Sequence, residues 1–117
     1  MRAVSVFREV DEFSALLGPD WVHGLAGFGE TPAGALRNLA DEIAKYDYEI
    51  RGDRLGLQVA DEFIEEAIGP DHTPADAIRA LAVKIEAGRY GEADFPPPDW
   101  LRIAKEERLV PSGHNRN

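Results

Sequence analysis

The chain predicts an α+β domain, a small antiparallel sheet packed against amphipathic helices. Three observations carry this expectation. Short apolar runs near residues 4–10, 21–28 and 46–59 alternate with polar residues, as half-buried strands do. Two segments, 31–43 and 73–85, repeat apolar residues at helical spacing behind a Thr-Pro start. Gly and Pro punctuate the intervals between these runs.

Val4, Val6 and Val10 alternate loosely with polar residues, and Phe7 joins them, which predicts a first strand with one wet face. In DEFSALLG, Asp11 can cap and Gly18 can stop, so a short helix or turn is expected. Trp21, Val22 and Phe28 suit a second strand, with Gly24, Gly27 and Gly29 marking bends or a bulge.

Thr31 and Pro32 open the first helix. The threonine oxygen can accept from an orphan N–H, and Pro at N1 lacks only an N–H that would go unused. Ala35, Leu36, Leu39, Ala40 and Ile43 share one face, while Arg37, Asn38, Asp41 and Lys45 face away. Its alanines keep the helix slim enough to lie close on a sheet. Tyr46, Tyr48 and Ile50, then Leu55, Leu57 and Val59, read as a hairpin turning at Gly52-Asp53.

ADEFIEEAIGP reads as a short helix, with Phe63, Ile64, Ala67 and Ile68 inward and Gly69-Pro70 ending it. The second Thr-Pro helix follows, with Thr73 and Asp76 as a capping-box pair and Gly88 as its stop. A proline-rich linker leads to a last helix carrying Trp100, Leu101, Ile103 and Ala104. The expected organisation is one domain over 1–95, a Pro-linked C-terminal helix over 96–110 and a flexible tail over 111–117.

The two Thr-Pro helices are identical at eight of 13 positions between 31–43 and 73–85. Convergence on a good helix start explains this, and so does duplication of a strand–helix unit. The upstream residues do not match, because WVHGLAGF reads as extended and FIEEAIGP as helical, which favours similarity at the helix level.

Bulk properties narrow the function. The chain has 117 residues, enough to bury roughly two thirds of its unfolded surface. It has no cysteine, which excludes disulfides and thiolate metal sites. No apolar run approaches the roughly 20 residues that span a bilayer, and the N-terminus lacks a signal-peptide pattern, so a cytoplasmic location is expected. Thirteen Lys and Arg stand against 22 Asp and Glu, a net charge of −9. Such a chain repels phosphate backbones and anionic membranes and attracts basic protein surfaces.

No catalytic constellation is legible. His23, His72 and His114 have no second ligand at helical or hairpin spacing, and no serine lies in a nucleophile motif. No metal, cofactor or enzymatic activity is expected. The densest acidic cluster is Asp61, Glu62, Glu65 and Glu66, read either as a solvated face or as a patch that docks on Lys and Arg of a partner.

Gly29, Thr31, Pro32, Ala35, Leu36 and Leu39, with Asn38 among them, resemble the HicB-like antitoxin superfamily over about residues 20–50. Similar segments occur in small phage-encoded proteins. Ala33-Gly34 stands where the family carries an acidic pair, and no basic DNA-binding segment follows. The resemblance therefore implies a non-catalytic, partner-binding domain. The expected function is inhibition of a basic nucleic-acid-handling protein, either a toxin nuclease or a CRISPR-type complex. The alternative is a structural or assembly protein of phage or bacterial origin that acts through homo-oligomerisation, and a homodimer is compatible with both.

Overall fold

Val4 and Val6 lie on the same side of strand β1 (Arg2–Arg8), and both are buried. They start the core of a computed structural model that describes residues 2–18, 24–46 and 53–97. β1 turns back through Glu9, whose N–H donates to the Glu12 carbonyl at 2.8 Å, into β2 (Phe13–Leu17). β2 pairs with β3 (Leu25–Gly29), helix α1 (Pro32–Tyr46) follows, and the chain returns as β4 (Arg54–Val59), β5 (Glu62–Ala67) and helix α2 (Pro74–Ala87). A 3₁₀ turn at Glu92–Asp94 comes last.

The strand order is β3-β2-β1-β4-β5. The α+β class is the one the sequence predicts. The sheet is mixed: β1 pairs parallel with β4 over Arg2–Val4 and Leu55–Leu57, and the other neighbours are antiparallel. Both helices cover one face. Leu36, Leu39, Leu55, Leu57, Ile78 and Leu81 are fully buried there, each contributing about 2 kcal/mol.

α1 lies directly on β3, and glycine permits it. A Cβ at Gly27 would stand 2.2 Å from the Leu39 nitrogen, and one at Gly29 would stand 2.7 Å from that of Ala35. These glycines are contact points between strand and helix, where bends were expected. The Asn38 side chain also donates to the Phe28 carbonyl, fixing the helix along the strand.

Two element assignments are corrected. DEFSALLG holds strand β2, in which Phe13 to Leu17 are all buried. A strand covered on both faces shows no alternation, so its apolar run resembles a helix turn. ADEFIEEAIGP holds strand β5. The turn that creates it is Ala60-Asp61, with Ala60 at φ 54°, and the pairing edge of β4 outweighs helical spacing. The hairpin expected across Gly52-Asp53 rests on residues 47–52, which lie outside the described residues; of its expected members, Tyr46 ends α1, and Leu55, Leu57 and Val59 lie in β4. Val10 lies beyond β1 and is exposed. Trp21, Val22, His23, Tyr48, Ile50 and the Trp100 segment lie outside the described residues.

The buried positions of the two Thr-Pro helices match one for one. Ala33, Ala35, Leu36, Leu39, Ala40 and Ile43 of α1 correspond to Ala75, Ala77, Ile78, Leu81, Ala82 and Ile85 of α2. With β5 a strand, each helix also follows an antiparallel hairpin, β2–β3 or β4–β5. The two ββα units flank β1 with opposite chain directions, related by an approximate two-fold through that strand.

Candidate partner-binding surface

The acidic cluster predicted from sequence sits on the β4–β5 hairpin. Its turn uses a positive φ at the first central residue, Ala60, as the primed two-residue hairpin turns do. Asp61 is the exposed second turn residue. Strand alternation then separates the other three. Glu62 and Glu66 face α2, and Glu65 faces the opposite side, 3.7 Å from Arg54.

Besides the Glu65 pair with Arg54, two of these carboxylates are engaged more closely within the fold. Glu62 accepts from the Tyr90 hydroxyl at 2.5 Å, and this bond, with partial desolvation, raises the Tyr90 pKa. The Glu66 side chain is only 18% exposed and forms an ion pair with Lys84. His72 Nε2 lies 3.4 Å from the other Glu66 oxygen without a hydrogen bond, a charge contact when the imidazole is protonated. Asp61 and Glu65 are the members of the set most available to a partner.

The topology assembles a larger acidic surface that the sequence did not reveal. β1, β3 and β4 end, and β2 and β5 begin, at the same end of the sheet. That end gathers Glu9, Asp11 and Glu12 from the β1–β2 turn, Glu30 from the β3–α1 junction, and Asp61 and Glu62 from the β4–β5 turn. The 3₁₀ turn adds Glu92 and Asp94 and is held there by Arg8, whose N–H donates to the Pro96 carbonyl at 2.9 Å. Phe95 anchors the same segment edge-on between Phe13, at 5.8 Å, and Tyr90, at 6.5 Å. Arg8 and Arg89 stand against these carboxylates, together with Arg37, already committed to Glu86.

Within this pole lies a cleft of about 130 Å³, lined by Arg8, Glu9, Val10, Asp11, Glu12, Phe13, Glu30 and Glu92. Small-molecule sites typically span about 300–1,000 Å³, so this one matches a single inserted side chain. One Glu9 oxygen is buried there with no hydrogen-bond partner among the described residues. Val10 is 83% exposed at the rim. The arrangement offers carboxylates around an apolar contact point, with Arg8 also in the lining.

Among the described residues, no three His, Asp or Glu side chains converge as a metal site requires. His72 sits at the start of α2, His23 and His114 lie outside the described residues, and no helix described is long and apolar enough to cross a membrane. The missed residues had one sequence signal: Glu9, Asp11 and Glu12 crowd a short interval between apolar runs, as hairpin turns do. Glu30, Glu92 and Asp94 join them only through tertiary register.

No protein-family model, curated protein or solved structure matches this chain.

Proposed function

We propose that this protein is an acidic, non-catalytic binding protein that inhibits a basic nucleic-acid-handling protein. The observation that carries the reading is the pole where three separate segments, the β1–β2 turn, the β3–α1 junction and the 3₁₀ turn, bring carboxylates around the exposed Val10. Convergent charge of one sign raises association rates about 10–1000-fold toward an oppositely charged surface. An apolar centre inside a polar rim is the arrangement that gives an interface its affinity. The resemblance of residues 29–39 to HicB-like antitoxins makes a toxin nuclease the first partner class to test, and a CRISPR-type nuclease complex the second.

The test is direct competition. The purified chain is added to a basic nuclease of either class, and cleavage is followed at low and at about 0.5 M salt. Inhibition should weaken with salt and vanish when Glu9, Asp11 and Glu12 are reversed to Lys. Val10→Asp should weaken it about tenfold or more while leaving the melting temperature unchanged. Inhibition that survives the triple reversal would overturn the reading. Self-assembly through apolar surfaces is the second reading, favoured by the exposed Phe63 and Val83; it requires salt-insensitive oligomers in light scattering.

A further inference from the structure

Among the described residues, β5 is the outermost strand on its side of the sheet. Register decides which of its backbone groups face β4. Val59 and Glu62 flank the two-residue turn, and beyond the strand the Ile68 N–H donates to the Asp53 carbonyl at 2.9 Å. Both facts place Glu62, Ile64 and Glu66 in the hydrogen-bonded pairs with β4. The N–H and C=O groups of Phe63, Glu65 and Ala67 therefore point outward from the sheet edge.

One of these groups is occupied, since the Glu65 carbonyl accepts from Lys84 Nζ at 3.0 Å. The three outward N–H groups have no partner among the described residues. All three residues are exposed, and the Phe63 ring is among the largest apolar groups at the surface. A row of outward backbone donors is a template for an added strand.

We infer that β5 accepts an extended basic segment of the partner as a sixth strand. The inference rests on the proposed function and supplies its docking mode. Charge selects the occupant. A second copy pairing antiparallel through β5 would set Glu65 against Glu65, or Glu62 against Glu66 in the neighbouring register, and like charges directly opposite are destabilising. A segment with an apolar residue opposite Phe63 and Lys or Arg opposite Glu65 joins the ladder by taking the Glu65 carbonyl from Lys84, and it meets a carboxylate whose contact with Arg54 is a loose 3.7 Å.

The probe is a synthetic peptide alternating lysine and valine, titrated at low salt into the full chain. Amide hydrogen exchange should slow at Phe63, Glu65 and Ala67 on saturation. Ala67→Pro removes one outward N–H without altering charge or the β4 ladder, and should weaken binding about fivefold to tenfold. Glu65→Gln keeps the N–H and removes the charge, so exchange protection should persist in it. A peptide that binds without protecting these amides, and equally well to Ala67→Pro, would overturn strand addition while leaving the acidic reading intact. A peptide that does not bind at all would instead remove the acidic reading. Protection of the same amides without peptide, alongside a dimer in sedimentation, would assign the edge to a second copy and overturn the basic occupant.

Discussion

Arg37 and Arg79 occupy the same position in the two repeated helices, and each crosses to a carboxylate on the other helix. Arg37 binds Glu86 through two hydrogen bonds, Nη1 to Oε2 at 2.9 Å and Nη2 to Oε1 at 2.6 Å. Arg79 Nη2 reaches Asp41 at 3.1 Å. The shared arginine thus has a tertiary reason beyond the helix pattern, and it sets α1 and α2 antiparallel. All four side chains are partly solvated, so the pairs orient the helices more than they stabilise them. Arg37→Ala and Arg79→Ala are each expected to lower the melting temperature slightly at low salt. The difference should shrink at about 0.5 M salt, where exposed pairs are screened; thermal unfolding at both ionic strengths measures this.

Gly27→Ala should be far more damaging, and insensitive to salt. The new methyl would meet the backbone of Leu39 and Ala35, at 2.2 Å and 2.7 Å, and backbone cannot turn aside as a side chain can. Separation of α1 from β3 or bending of the strand should cost about 3 kcal/mol. Urea unfolding of the variant gives the value directly.

The two helix starts differ in one bond. Thr31 Oγ1 accepts from the Gly34 N–H at 2.9 Å, and Gly34 has no side chain to answer. Thr73 Oγ1 accepts from the Asp76 N–H at 3.2 Å, and an Asp76 carboxylate oxygen accepts from the Thr73 N–H at 3.3 Å. Either threonine replaced by alanine should cost about 1 kcal/mol. Thr73→Ala should cost more of the two, because it also loosens the reciprocal bond. Chemical denaturation of both variants decides the order.

Stability should fall at both ends of the pH range, for different groups. Hydrogen bonding by the Thr73 side chain and then its backbone holds Asp76 below the usual aspartate range, and hydrogen bonding to Arg37 does the same for Glu86. A depressed folded value means that the stabilising contribution is present above the ordinary carboxylate range and is lost as pH falls through the lowered values. Tyr90 is shifted the other way by its hydrogen bond to Glu62. Its contribution is present below the ordinary tyrosine value and is lost as pH rises through the raised one. A melting series across pH should show an acid limb that Glu86→Gln makes shallower and an alkaline limb that Tyr90→Phe removes.

The helices were legible because their signals are local. Thr-Pro, the apolar spacing and Gly88 lie within the segments they define, and Leu36, Leu39 and Ile43 are buried as the pattern requires. The sheet was legible only in part, because strands are defined by partners. Phe63, Ile64, Ala67 and Ile68 satisfy a helical spacing as well as an extended one. What settles the matter is β4 alongside and a tight turn built on Ala60, where turn rules look for glycine or asparagine. The same cause hid most of the acidic pole. Asp61 and Glu62 were visible as part of a run, but Glu30 and Glu92 approach the Glu9 turn only once the strand order exists.

That strand order has a kinetic consequence. Each hairpin and its following helix assemble from segments adjacent in the chain, whereas the parallel junction of β1 with β4 holds just three residue pairs, and these are distant in sequence. Local halves form early and cheaply in chain entropy, and a remote junction closes late. Alterations at Val4 or Leu57 should therefore slow refolding less than they speed unfolding, making this narrow junction the place where the protein's lifetime, rather than its folding speed, is set.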